Sequence, residues 1–376
     1  MATNATENKI CIYAICKNEI ANVEQWLNNM SEADYIVVLD TGSTDGTYEK
    51  LKSDPRVTRV EQKIFKPWRF DVARNESMKL VPDDANILLC TDFDEVFEPG
   101  WGDVIRSNWK PGITRGHYLY AWSHNEKGIP GDVFVYDKMH TRDYKWIFPV
   151  HEVLTPIDPS FKEYVLDCGD KVYLHHLQDK TKARGNYCDL LKISVQENPE
   201  NMHCRMLLAR EYLIQNNPEQ ARIEYLEVLK HEDTYKRNQI ALETYGRLAD
   251  LCEMLDHDID GVMKYCYKFM EIDDTYREPY FIMAESLASR GKYIMAIGLV
   301  ETAMSHCTHK YTWIERAPCW QDEGYTLLGY CYQMTGELQK SLENYQKAFE
   351  INPNRKETVD NLIHVINLIA NNSAKQ

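Results

Sequence analysis

Asp92, Asp94 and Glu95, in the stretch Thr91-Asp92-Phe93-Asp94-Glu95, set three carboxylates within four residues of chain. They follow Asn86-Ile87-Leu88-Leu89-Cys90, an apolar run of the length of a buried strand. Carboxylates held this close repel and raise one another's pKa. A divalent cation relieves the repulsion, and oxygen ligands suit Mg²⁺ or Mn²⁺. Asp92 and Asp94 therefore read as a metal site that holds the phosphates of a substrate. The plainer alternative is a solvated acidic turn.

The elements that would carry these acids precede them. Lys9–Cys16, Tyr35–Leu39 and Arg56–Gln62 read as strands. Glu19–Met30, Thr47–Ser53 and Phe70–Leu80 read as the helices between them, with Thr44 or Asp45 suited to cap the second and Pro82 stopping the third. Strands alternating with helices predict a doubly wound, mostly parallel sheet, whose ligands bind beyond the carboxyl ends of the strands. Lys17-Asn18-Glu19, Asp40, the group Asp71, Arg74 and Asn75, and the pair Asp92 and Asp94 all fall on that one edge. No G-x-G-x-x-G and no G-x-x-x-x-G-K-[ST] is present, which excludes a dinucleotide fold and a P-loop.

Three segments, Leu39-Asp40-Thr41-Gly42-Ser43-Thr44-Asp45-Gly46-Thr47, Phe70-Asp71-Val72-Ala73-Arg74-Asn75 and Thr91-Asp92-Phe93-Asp94-Glu95, resemble in order and spacing the family-2 glycosyltransferases of the GT-A fold. The resemblance covers roughly residues 9–180. It implies that Asp40 reads the base or ribose of a nucleotide, that Asp71 and Arg74 lie on the nucleotide side, and that Asp92 and Asp94 are the D-x-D pair, with Asp94 the direct metal ligand. Phe93 then points into the core, as alternation along an extended segment requires. Thr41 stands where many relatives have a second Asp, and Thr91 is more polar than the residue usual before the pair. The implied reaction is a single inverting displacement: a metal offsets charge on the leaving diphosphate while a carboxylate base takes the acceptor's proton.

The base is expected in residues 96–180. Pro149-Val150-His151-Glu152 looks like the Val-His-Glu element of relatives that carry helical repeats, which makes Glu152 the first candidate and Asp143 the second. Lys171–Leu174 reads as a strand delivering His175 and His176. A histidine there looks like the family's third metal ligand, His175 by register and His176 as the alternative. Trp101, Trp109, Tyr118, Tyr120, Trp122, Tyr144 and Trp146 either fill the core or stack on sugar rings.

From about residue 183 the pattern is wholly helical. Gly329, Tyr332, Ser341 and Tyr345, completed by Ala348 and Pro353, fit the small–aromatic–small–aromatic pattern of a tetratricopeptide repeat. Ala209, Tyr212, Ala221 and Tyr225 fit well, and the sets starting at Ala249 and Ala284 fit more loosely. Stacked helix pairs of this kind form a groove for a peptide or protein, brace a neighbouring domain, or pair two copies of the chain. Asn361–Ala370 reads as a capping helix.

Composition sets the outer bounds. At 376 residues the chain is long enough for two domains, expected at 1–182 (GT-A) and 183–376 (repeats). A net charge of −15, spread over both halves, disfavours nucleic acid as a partner. Eleven cysteines without a Cys-x-x-Cys pair suggest buried free thiols in a reducing compartment. No apolar run spans a membrane and the first residues are polar, so the expectation is a cytoplasmic protein. The sequence reading is thus a metal-dependent, inverting glycosyltransferase taking a nucleotide-sugar donor, a UDP-sugar first, to a protein, peptide or glycan acceptor. Its rivals are a scaffold whose sheet domain is a decayed enzyme, a nucleotidyltransferase, and a glycosyltransferase acting on modified DNA.

Overall fold

The computed structural model describes residues 8–125, 128–178, 187–231 and 239–373. The chain divides into two compact units, Met1–Glu197 and Asn198–Gln376. The boundary expected between 182 and 183 lies outside the described residues. Helix Tyr187–Glu197 belongs to the first unit.

The first unit is built on one mixed sheet. Strands β1 (Ile10–Cys16), β2 (Tyr35–Asp40), β3 (Arg59–Gln62) and β4 (Ile87–Cys90) are parallel neighbours in the order β3-β2-β1-β4. The sheet continues through β7 (Val133–His140), β6 (Arg115–Ala121), β11 (Tyr173–His176) and β5 (Glu95–Phe97), with β10 (Val165–Asp167) beside β6. β7 runs against β4 and β6, and β5 against β11. A hairpin of β8 (Tyr144–Ile147) and β9 (Val153–Pro156) stands apart.

β1 is buried throughout because it feeds both faces. Ile10, Ile12, Ala14 and Cys16 join one core cluster with Trp26, Phe93, Phe97 and Trp101. Cys11, Tyr13 and Ile15 join the other with Ala73, Tyr144 and Trp146. Helix α1 (Val23–Asn29) covers the first face and α3 (Phe70–Met78) the second; α2 (Thr47–Ser53) follows β2, and α4 (Trp101–Asn108) follows β5. α1 begins four residues later than the periodicity suggests. The N–H groups of Glu19 and Ile20 bond instead to Thr47 Oγ1 (2.8 Å) and Asp45 Oδ2 (3.1 Å), so the segment after β1 is laced to the loop after β2. At the start of α2 the cap position is Gly46, in the left-handed region at φ 96°, while Asp45 accepts from the Thr47 N–H at 3.0 Å.

Among the described residues the second unit is helical, with no strand. α5 (Tyr187–Glu197) precedes it, and four helix pairs follow: α6 (Met202–Ile214) with α7 (Pro218–Leu229), α8 (Gln239–Leu251) with α9 (Ile259–Ile272), α10 (Glu278–Ser289) with α11 (Tyr293–His306), and, after the short α12 (Ala317–Trp320), α13 (Glu323–Met334) with α14 (Leu338–Ile351). Helix α15 (Lys356–Ser373) closes the stack over the expected capping segment. The small anchor residues let helices approach closely. A Cβ on Gly329 would sit 2.7 Å from the Tyr345 ring, and one on Gly261 2.7 Å from Cys252 Sγ. A π-helical turn at Cys252–Asp256 ends the first helix of the second pair, and the long connection 307–322 separates the third pair from the fourth. All eleven cysteines are free and buried. Among the described residues no helix is long and apolar enough to cross a membrane.

Candidate functional site

Parallel pairing fixes where the polar residues go. Cys16 sits opposite Asp40, and Tyr13 opposite Cys90, so the ends of β1, β2 and β4 open on the same edge. The start of α3 and the end of β11 reach that edge too.

Arg74, buried one turn into α3, joins the segments. Its Nη2 donates to both oxygens of Asp92 (3.0 and 3.2 Å), its Nη1 lies 3.0 Å from Cys90 Sγ, and its Nε donates to Glu152. Trp146 supports the guanidinium with its ring face, 5.4 Å away. Lys138, on β7 and also buried, reaches Asp92 Oδ2 at 3.2 Å and Glu95 Oε1 at 3.6 Å. Burial pushes the Asp92 carboxyl up, but the charges of Arg74 and Lys138 outweigh it and hold Asp92 far below the usual range. Glu95, deeper, is raised by burial despite Lys138. Two interior cations thus supply much of the neutralisation that the sequence argument assigned to a metal.

Asp94 points elsewhere. Its Oδ2 is 3.3 Å from Nε2 of His176, which ends β11 opposite Glu95. Burial pulls the His176 pKa down, and the Asp94 carboxylate more than offsets it, so the imidazole titrates above its ordinary value. The preference for His175 over His176 is corrected by the strand's alternation. His175 turns to the opposite side, where its Nδ1 lies 2.9 Å from His124 Nε2 and its Nε2 3.3 Å from Glu98.

The other expected residues are also placed. Asp40 is fully buried and spent on its own loop: Oδ1 accepts from the N–H groups of Gly42 (2.9 Å) and Ser43 (2.8 Å) and from Gln62 Nε2 (2.9 Å). Burial raises its carboxyl, and these hydrogen bonds reverse the shift. Asp71 pairs with Arg69 at 2.9 Å, and Arg69 also holds Glu197. Asp40 and Asp71 therefore shape the rim and do not present free carboxylates. Asp143 is excluded from the site. β7 leaves the sheet at His140, paired with Leu88 and Arg115 at the opposite edge, and Asp143 follows three residues later, bonded to Thr141. Glu152 does arrive, on a segment with left-handed backbone at Phe148 (φ 78°) and His151 (φ 49°), a conformation rare for such side chains. Its Oε1 meets Arg74; its Oε2 has no hydrogen-bond partner among the described residues.

Of the seven aromatics singled out, six fill the core. Trp122 alone is open, 42% exposed, its ring 4.7 Å from that of His176. Sequence reasoning missed Lys138. The signal was a lone lysine inside the strand-like run Val133–His140, near a cluster of acids that needed a counter-charge.

The residues fit a divalent cation only in part. Among the described residues no three His, Cys, Asp or Glu side chains converge on one point. Asp94 and His176 do converge, and one or two protein ligands with substrate phosphates is the usual complement for Mg²⁺. The expected set of Asp92, Asp94 and His175 is not assembled.

Comparisons with known proteins bear on the second unit. Residues 323–355 match the tetratricopeptide repeat family. Among solved structures the chain is similar to the MamA protein (17% identity, TM-score 0.35, covering 44% of this chain and 81% of that one). It is also similar to a thermophilic TPR protein from Thermus thermophilus (15% identity, TM-score 0.36, covering 48% and 88%). No curated protein matches the chain at a significant level. The C-terminal half is a helical, tetratricopeptide-like repeat region, and such repeats suggest interaction with other proteins.

Proposed function

We propose that the first unit is a GT-A glycosyltransferase that transfers a sugar, with inversion, from a nucleotide-sugar donor, a UDP-sugar first, to a protein, peptide or glycan acceptor. The observation that carries this reading is the bridge made by Arg74. Three segments far apart in sequence, at residues 74, 92 and 152, meet at one guanidinium on the carboxyl edge of the sheet. Random surface charge does not arrange itself so.

In this reading Asp94 and His176 would hold Mn²⁺ or Mg²⁺ for a donor's diphosphate. When bound, the cation offsets charge on the leaving group. Glu152 is the base: Arg74 orients it through Oε1, and Oε2 takes the proton of the acceptor as the acceptor bonds to the anomeric carbon and the diphosphate departs. Trp122 offers a ring face to a sugar. Asp40 and its bonded loop keep the rim in shape.

A second reading, a protein-binding scaffold, is favoured by one observation. Arg74 and Lys138 already balance Asp92, so the acids persist without a metal. Titrating the protein with Mn²⁺ and a panel of sugar nucleotides separates the two. Thermal stabilisation or slow donor hydrolysis supports the enzyme; no response to any donor supports the scaffold.

A further inference from the structure

The repeat unit contains a cavity of about 630 Å³ formed where α6, α8 and α10, the first helices of three successive pairs, come together. One wall is apolar, from Leu213, Leu251, Met254 and Ile282. The other is charged, and its pairing is uneven. Arg316 Nη2 holds Asp250 at 2.6 Å, Arg247 holds Glu243 at 2.9 Å, and Arg290 holds Glu253 at 2.9 Å. Glu285 lines the same cavity, open to the space within it, and makes no hydrogen bond or ion pair among the described residues. Among the lining residues Asp250 and Glu253 are thus paired, and Glu285 is the carboxylate left without a cation.

A carboxylate beside an apolar wall matches a side chain with a hydrocarbon stem and a charged tip. We propose that this cavity receives a lysine or arginine side chain of a partner protein, its stem along Leu251, Met254 and Ile282 and its cation on Glu285. The groups facing Glu285 agree. Desolvation, then the charges of Glu323 on α13 and Asp250 on α8, push its pKa up to about 7, against Arg316 and Arg355, and a cation placed beside it would reverse that shift. The inference is independent of any activity of the first unit.

The test uses the full chain and a short fluorescent peptide of alternating lysine and alanine, with a glutamate–alanine peptide as the control, followed by anisotropy at fixed salt. Glu285→Gln is expected to weaken lysine-peptide binding about tenfold, as loss of one paired charge in a recessed site does. Glu343→Gln, the same charge change on the exposed side of α14, should leave it nearly unchanged. Ser289→Lys, which plants a competing cation at the cavity lining, should weaken binding as Glu285→Gln does, with unchanged melting temperature. Equal weakening by Glu285→Gln and Glu343→Gln would assign the binding to the overall negative charge and overturn the proposal. So would binding undisturbed by Ser289→Lys, or no binding by the unaltered protein.

Discussion

Asp94 and His176 face each other across the end of the sheet, Oδ2 to Nε2 at 3.3 Å, while Asp92, two residues earlier, is turned to Arg74 and Lys138. The turn at Phe93-Asp94, closed by the Glu95 N–H on the Asp92 carbonyl at 3.1 Å, separates the pair into a carboxylate tied to interior cations and one beside an imidazole that can also ligate metal.

Removal of that pair should abolish any response to metal. Asp94→Asn and His176→Ala are each expected to eliminate Mn²⁺-induced stabilisation and Mn²⁺-dependent turnover, with folding intact. His175→Ala should keep both. Calorimetric Mn²⁺ titration of the three variants checks this.

The pH dependence follows with a definite sign. His176 binds its proton more tightly folded than unfolded, so its pairing with Asp94 stabilises fully below the ordinary value of 6.5 and is lost as pH rises through the higher folded value. Metal competes with that proton, so Mn²⁺ affinity should increase across the same interval. His176→Gln should flatten the stability profile there, as read by urea unfolding at stepped pH.

Arg74 is expected to be the most costly single change at the edge. Arg74→Met leaves Asp92 and Glu152 without the cation between them and should destabilise by about 3 kcal/mol. Glu152→Gln should retain the fold and donor binding and lose transfer. Asp143→Asn, at the far edge, should transfer normally. Urea melts and single-turnover assays distinguish these outcomes.

In the repeats, glycine substitutions should split by space. Gly329→Ala forces a Cβ to within 2.7 Å of Tyr345 and is expected to cost about 1–3 kcal/mol. Gly298→Ala, in α11 with nothing within 4 Å, should stabilise by roughly 0.5–1 kcal/mol. Thermal melts compare the two directly.

The parts of this molecule set by local periodicity were legible in the sequence. β1 to β4, their helices, the shared edge and the small anchors of the repeats follow from apolar spacing and breaker residues. What depended on long-range pairing was not. Lys138 reaches Asp92 only because β7 inserts antiparallel between β4 and β6, an order no local pattern encodes. Asp143, the second candidate after Glu152, is sent to the opposite edge by the direction of β7. The choice between His175 and His176 rested on a one-residue register, which reverses every side chain of a strand. Asp40 kept its position, yet its loop and Gln62 take up its Oδ1, and Cys16 Sγ lies 3.4 Å from its Oδ2.

The buried thiols give the molecule an internal clock. Burial drives the Cys90, Cys168, Cys307 and Cys331 thiols up to about 11, so little nucleophilic thiolate exists while the chain is closed. Cys11, Cys16, Cys90, Cys168 and Cys188 lie in one unit, and Cys204, Cys252, Cys266, Cys307, Cys319 and Cys331 in the other. Alkylation during slow denaturation, read by peptide mass, would therefore time the opening of each half separately without any introduced label.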